Sequence, residues 1–227
     1  KTDLVRFNKT GKIAKCLVSG NLKFDAKVNP KLVSQGKSWK KIIPKTVWLA
    51  LSTRLGEEEQ IFKVWTKFKP KKSLLIVVPR HPYRFDSVYS QANNMKLKVK
   101  KRSNFFYDDN ECKNFFDADV IIGDSVGEIT IYATIADIAL IGGSIPKHGG
   151  QNPIEICSQG CPVFFGPHMY NFYSIARALN LSEAGFQINS YQDWITEGSR
   201  LISDKKKFSK SKTAAHRFAE SGKGASA

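Results

Sequence analysis

Gly142–Asn152 is the most informative stretch of the sequence. It places four glycines (Gly142, Gly143, Gly149 and Gly150), Ser144, Lys147, His148 and Asn152 between an apolar run and a helix-like segment. Glycines let a backbone approach a ligand closely, and a following helix start presents free N–H groups, so the pattern suits a phosphate or a carboxylate. Glu155 follows just inside that helix. A carboxylate there can accept hydrogen bonds from ribose hydroxyls, or it can simply complement the helix dipole. Pro79-Arg80-His81-Pro82, with Arg84 beyond, concentrates positive charge after another apolar run, and a guanidinium grips phosphate or carboxylate in a fork. Gly123-Asp124-Ser125-Val126-Gly127-Glu128 has the form of a tight turn into a helix. Its N–H groups could meet a base or phosphate, while Asp124 is equally suited to cap the helix. Ser52-Thr53-Arg54 with Gly56 is a similar turn, placed to face a sugar or to cap. Missing are the Walker phosphate loop, the Gly-x-Gly-x-x-Gly fingerprint, the Gly-x-Ser-x-Gly elbow, an Asp-x-Asp pair and a His cluster at ligand spacing. Neither a metal nor a cofactor is implied.

These groups need elements to hold them. Strand-sized apolar runs are expected at Lys15–Ser19, Thr46–Leu51, Ser73–Val78, Val120–Ile122, Asp137–Ile141 and Pro162–Phe165. Between them lie helical candidates: a Lys-rich amphipathic segment after Pro30, then Gly56–Phe68, Phe85–Asn93, Gly127–Ala136, a helix from about Pro153, and His168–Leu179. Gly56–Phe68 shows helical spacing at Ile61, Val64, Trp65 and Phe68, and Glu57, Glu58 and Glu59 suit the positive end of a helix. Alternation of this kind, with nearly continuous apolar strands, indicates βαβ units on a parallel sheet covered on both faces. The fold class is therefore α/β, a Rossmann-like doubly wound parallel sheet. In such sheets ligands bind beyond the carboxyl ends of the strands, which is where all five polar stretches fall, the four above and Gly166-Pro167-His168 after Phe165.

The 227 residues divide into a binding domain over 1–204 and a C-terminal helix or tail over 205–227, anchored by Phe208 and Phe218 and frayed at its end. With 36 Lys and Arg against 20 Asp and Glu, the net charge of +16 favours anionic partners. Cys16, Cys112, Cys157 and Cys161 complete no zinc set and read as structural thiols of a reducing compartment. No stretch reaches the roughly 18 apolar residues of a membrane helix.

Taken in order, the motifs resemble the carboxyl-terminal domain of 3-deoxy-D-manno-octulosonic acid (Kdo) transferases of lipopolysaccharide synthesis. The matching segments are Ser19–Asp25, Ser52-Thr53 with Gly56–Glu59, and Val78–Pro82 with Arg84-Phe85. Gly123-Asp124 with Gly127-Glu128, Gly142–Ser144, His148–Gly150, Asn152-Pro153, Glu155, Phe165–His168 and Asn171-Phe172 continue the series. The resemblance implies the C-terminal half of a GT-B glycosyltransferase, with CMP-Kdo as donor and a lipid A precursor as acceptor. It further implies inverting, metal-independent transfer by an enzyme peripheral to the cytoplasmic face of the bacterial inner membrane. Carried onto this chain, the donor contacts are Pro79, Arg80, Val126, Gly127, Glu128, Asn152, Pro153, Ile154 and Glu155, with Glu155 on the ribose. Ser52, Thr53, Gly143, Ser144, Lys147, His148 and Gly149 are further possible donor contacts. The family's acidic base belongs to an amino-terminal domain, so no catalytic residue is expected in this chain, which should not complete the reaction alone. Arg54 stands where His is frequent, Gln151 replaces another frequent His, and Ile156-Cys157 replaces Pro-Ala.

Two other readings follow from the residues. One is a GT-B domain for a different nucleotide sugar. The other is a noncatalytic nucleic-acid-binding module, suggested by the charge. That module should gather its cations on one face with aromatics or a reading helix, and no such motif is evident, so nucleic acid is not expected as a partner.

Overall fold

The computed structural model describes residues 22–25, 28–105 and 116–222. The strand expected at Lys15–Ser19, part of the Ser19–Asp25 motif, Cys16, Cys112 and the chain's last five residues lie outside them. Among the described residues, seven strands form one parallel sheet: β1 (Thr46–Thr53), β2 (Ser73–Pro79), β3 (Val99–Lys101), β4 (Val120–Ile122), β5 (Ile138–Ile141), β6 (Val163–Phe165) and β7 (Gly185–Gln187). Their order is β3-β4-β2-β1-β5-β6-β7, so the winding reverses between β1 and β5. All six pairings are parallel.

Successive residues of a strand face opposite sides, and here both sides are apolar. Val47, Leu49, Leu51, Leu74 and Ile76 join one core cluster, whereas Trp48, Ala50, Leu75 and Val77 join the other. Five helices cover the first face: α1 (Pro30–Ile42), α4 (Ile129–Ile135), α5 (Ile154–Ser158), α6 (Tyr173–Leu181) and α8 (Lys205–Ser221). The second face is covered by α2 (Glu57–Phe68), α3 (Phe85–Asn94) and α7 (Tyr191–Ser203). The helix anticipated over His168–Leu179 divides into a 3₁₀ turn at Tyr170–Phe172 and α6. In α2 the helical spacing sends Ile61 and Trp65 inward together with Phe62, while Phe68 ends half exposed. Cys157 and Cys161 are buried free thiols, and burial pushes both thiol pKa values up, as befits packing groups. α8 packs against α5 and α7 through Ser211, Ala215 and Ala219.

An aromatic cluster packs on the second face. Trp48 lies edge-on to Trp65 and Trp194, with ring centroids 5.9 and 5.4 Å away. Gly198 of α7 lets these rings approach, since a Cβ there would fall 2.6 Å from Trp48 and from Ile138. All three Trp rings are almost wholly buried. Replacing a large core aromatic by Ala costs about 3–5 kcal/mol. Trp194→Ala should lower the urea-unfolding free energy by that amount, and a loss below about 1 kcal/mol would show that α7 is not held by this cluster.

Candidate functional site

The carboxyl ends of β1, β2, β4, β5 and β6 open on one edge of the sheet, and the five polar stretches form the loops there. The loops after β1 and β5 lie side by side at the point where the winding reverses, the usual crevice for a ligand in an open α/β sheet. Ser52 has a left-handed backbone (φ 56°) at a register irregularity against β2. Such conformations persist only where surroundings enforce them. Gly142 supplies that enforcement, because its missing Cβ would stand 2.4 Å from the Ser52 carbonyl oxygen.

Two adjacent buried carboxylates tie these loops together. The Glu57 Oε2 accepts from the backbone N–H groups of Arg54 and Gly143, both at 2.7 Å, and its Oε1 accepts from the Tyr191 hydroxyl at 2.9 Å. Burial pushes the Glu57 carboxyl above its ordinary pKa despite these donors, and burial likewise raises the Tyr191 phenol. Glu58 accepts from the Thr53 hydroxyl at 2.5 Å and pairs with Arg84 at 2.6 Å, while Arg84 also donates to the Thr53 carbonyl at 3.1 Å. One turn of α2 thus fixes the ends of β1, β2 and β5 and the start of α7. Glu57 and Glu58, expected to complement a helix dipole, act chiefly as these internal partners.

Two sequence expectations are corrected by burial. The Thr53 hydroxyl is spent on Glu58. The Ser144 side chain is fully buried, donates to the Ile141 carbonyl and accepts from the Gly166 N–H at 2.8 Å. Both hydroxyls belong to the frame and do not face a donor. Glu128 is half-buried and its carboxylate is engaged by Arg102 at 2.8 Å and by the Ser125 hydroxyl at 2.5 Å, so its side chain anchors its loop. Asp124 holds the Ser103 N–H and hydroxyl at 2.8 and 2.6 Å and is an anchor of the same kind. Arg102, Ser103, Ser125 and Thr130 were not legible as partners, because each meets its carboxylate only after the chain folds.

Of the remaining candidates, Asn152, Ile154 and Glu155 line one cleft, and the others stand outside its lining on the loops after β2, β4 and β5. Pro79 closes β2 inside the protein, and Arg80 beyond it is exposed, with its N–H bonded to the Thr53 carbonyl at 3.0 Å. Val126 is 78% exposed, and Gly127 (φ 83°) has open space over its Cα. Gly143 and Gly150 bond across the long loop at 2.9 Å, with Lys147 and His148 at its exposed tip. Gly149 is buried, and a Cβ there would strike Asn171. Asn152 caps the start of α5 through the Ile154 N–H at 3.1 Å, with Pro153 buried between them. Glu155 accepts from Thr130 at 2.7 Å. Among the described residues, a cleft of about 1270 Å³ is lined by Asn152, Ile154, Glu155 and Thr130 on one side and by Asn29 and Lys37 of the α1 region on another. Leu55, Tyr83, Val126, Tyr170 and Tyr173, in the connections after β1, β2, β4 and β6 and at the head of α6, are large side chains left exposed.

A doubly wound parallel sheet with a polar crevice at its winding reversal places the chain in a class, the Rossmann-like α/β domains. The chain is 38% identical over 182 residues to the 3-deoxy-D-manno-octulosonic acid transferase of Haemophilus influenzae, covering 78% of this chain and 41% of the relative. It is 34% identical over 165 residues to that of Bordetella pertussis, covering 70% and 37%. The structure of the C-terminal CMP-Kdo binding domain of WaaA from Acinetobacter baumannii superposes with a TM-score of 0.75, at 23% identity, over 84% of this chain and 98% of that one. Anabaena Alr3699/HepE in complex with UDP-glucose superposes at 0.60 and 13% identity, over 88% and 50%. No protein-family model matches the chain. The chain belongs to the 3-deoxy-D-manno-octulosonic acid transferase family, and it spans about two fifths of the length of the curated relatives it matches.

Breaking a buried pair by removing one partner costs about 3–5 kcal/mol, because the other charge stays buried. Arg84→Ala should destabilise the domain by that amount. Glu58→Met added to it should recover part of the loss, as expected for directly coupled partners. Urea unfolding of both variants checks this, and purely additive losses would contradict the coupling.

Proposed function

We propose that this domain binds CMP-Kdo and is the donor-holding half of a glycosyltransferase that moves Kdo onto a lipid A precursor, with inversion and without a metal. The observation that carries this reading is the grouping of Asn152, Ile154 and Glu155 on one cleft beside the crevice at the winding reversal. Glu155 gives one carboxylate oxygen to Thr130. A carboxylate has further lone pairs, so it can still accept from ribose hydroxyls. Arg80, exposed at the end of β2, supplies a fork for phosphate, and the open turn at Val126-Gly127 offers N–H groups and a flat surface to the base.

An amino-terminal domain carrying the catalytic base would close over this edge, and the exposed Leu55, Tyr83, Val126, Tyr170 and Tyr173 side chains suit such a partner. No described helix is long and apolar enough to cross a membrane. The net charge of +16 suits peripheral attraction to the anionic inner-membrane surface, at about 1 kcal/mol per basic residue near it.

Calorimetric titration of the chain with CMP should give saturable binding stronger than with AMP or UMP. Glu155→Ala and Arg80→Ala should each weaken it about tenfold or more, the loss expected for one charged hydrogen bond. Equal binding of all three nucleotides, or salt-sensitive binding of unrelated polyanions by a chain that ignores CMP, would overturn the proposal.

A further inference from the structure

Two threonines one turn apart on α4 spend their hydroxyls differently. Thr134 donates to the Thr130 carbonyl at 2.7 Å, the bond that helical threonines commonly make to the residue four back. Thr130 turns its hydroxyl across to α5 and donates to Glu155 Oε1 at 2.7 Å. Thr130 is only 5% exposed, on a helix whose other buried residues are Ile131, Tyr132, Ala133 and Ile135. A buried hydroxyl is unfavourable without a partner, and Glu155 is the one it has among the described residues.

That bond uses half of the carboxylate. Among the described residues Oε2 of Glu155 has no donor, and no cation pairs with either oxygen. The side chain is half-buried on the wall of the 1270 Å³ cleft, which Thr130 and Asn152 also line. A glutamate without an anchor must give up the freedom of several rotatable bonds when a ligand arrives. Here one oxygen is already placed and the other acceptor is left for the cleft. The anchor stands on packed backbone. Gly36 of α1 seats against α4 at this turn, since a Cβ on it would fall 2.6 Å from Thr134 Cβ and 3.2 Å from the Ile131 carbonyl oxygen. On α5, Ile154 and Ile156 on either side of Glu155 are buried in the core. The two helices therefore fix the separation of the two side chains.

We propose that Thr130 is a positioning residue that makes the cleft selective for a ribose bearing its hydroxyls, by holding the Glu155 carboxylate where Oε2 can accept from one of them. This rests on the reading of the cleft as a nucleotide site with Glu155 on the ribose, and adds to it the group that acts through Glu155. Thr130 need not touch the nucleotide itself.

Calorimetric titration with CMP and with 2′,3′-dideoxycytidine monophosphate reads this as a ratio of dissociation constants. The wild-type chain should favour CMP about tenfold or more, as expected for a hydrogen bond to a charged group. In Thr130→Val, which keeps the shape and loses the hydroxyl, the preference should fall to about threefold or less, with CMP weakened and the dideoxy nucleotide nearly unchanged. Thr130→Ser, which returns the hydroxyl, should restore most of the preference. Urea unfolding checks that both variants fold. A Thr130→Val chain that keeps the wild-type preference, equal weakening of both nucleotides, or a preference not recovered in Thr130→Ser would each overturn the proposal and leave the nucleotide reading standing. A wild-type chain that binds both nucleotides equally would take Glu155 off the ribose, and one that binds neither would remove the nucleotide site, and the proposal would fall with either.

Discussion

The pair of buried carboxylates at the start of α2 is the constraint on which the site depends. Ionised groups in an apolar interior are unfavourable unless their hydrogen bonds are complete. Glu57 satisfies this with two backbone N–H groups and a phenol, and Glu58 with a guanidinium and a hydroxyl. Because the partners come from β1, the loop after β2, the glycine loop after β5 and the head of α7, completing the bonds forces these segments into one arrangement. The left-handed Ser52 and the backbone contact permitted by Gly142 are consequences of that closure. A rigid frame of this kind leaves exposed side chains such as Arg80, Lys147 and His148 free to meet a ligand without moving the backbone.

A division of labour follows along the edge of the sheet. Acidic residues mostly look inward and fasten loops: Glu57 and Glu58 to the β1 and β5 ends, Asp124 and Glu128 to the β3–β4 corner. The exposed side chains left facing the crevice are basic, apolar or glycine-spaced. Glu155 is the exception, an acidic group on the cleft wall, and that polarity suits hydroxyl donors better than phosphate.

Much of the fold was readable because the five inner strands of the sheet are covered on both faces. β1, β2, β4, β5 and β6 are uninterrupted apolar runs with polar or glycine punctuation. The two edge strands were not read. β3, Val99-Lys100-Lys101, is half exposed throughout, and β7, Gly185-Phe186-Gln187, runs from buried to exposed over three residues. Neither leaves a periodic trace that separates it from a loop. α7 was also passed over, although Ser190 and Asp193 form a reciprocal capping box that marks its start. In the site, the loops themselves were found from glycine spacing and charge. What escaped was the allocation of polar side chains between frame and ligand. Thr53 and Ser144 have the same chemistry as exposed hydroxyls, and only their burial at the strand ends assigns them inward.

The account turns on the strand-end loops and the α5 wall forming one nucleotide pocket, and a crystal structure of the domain grown with CMP tests it most directly. The account places the ribose within hydrogen-bond distance of the Glu155 carboxylate, the phosphate toward Arg80 and the glycine loop, and the base against the Val126-Gly127 turn. CMP bound elsewhere on the domain, or bound in this cleft with its ribose turned away from Glu155, would contradict it.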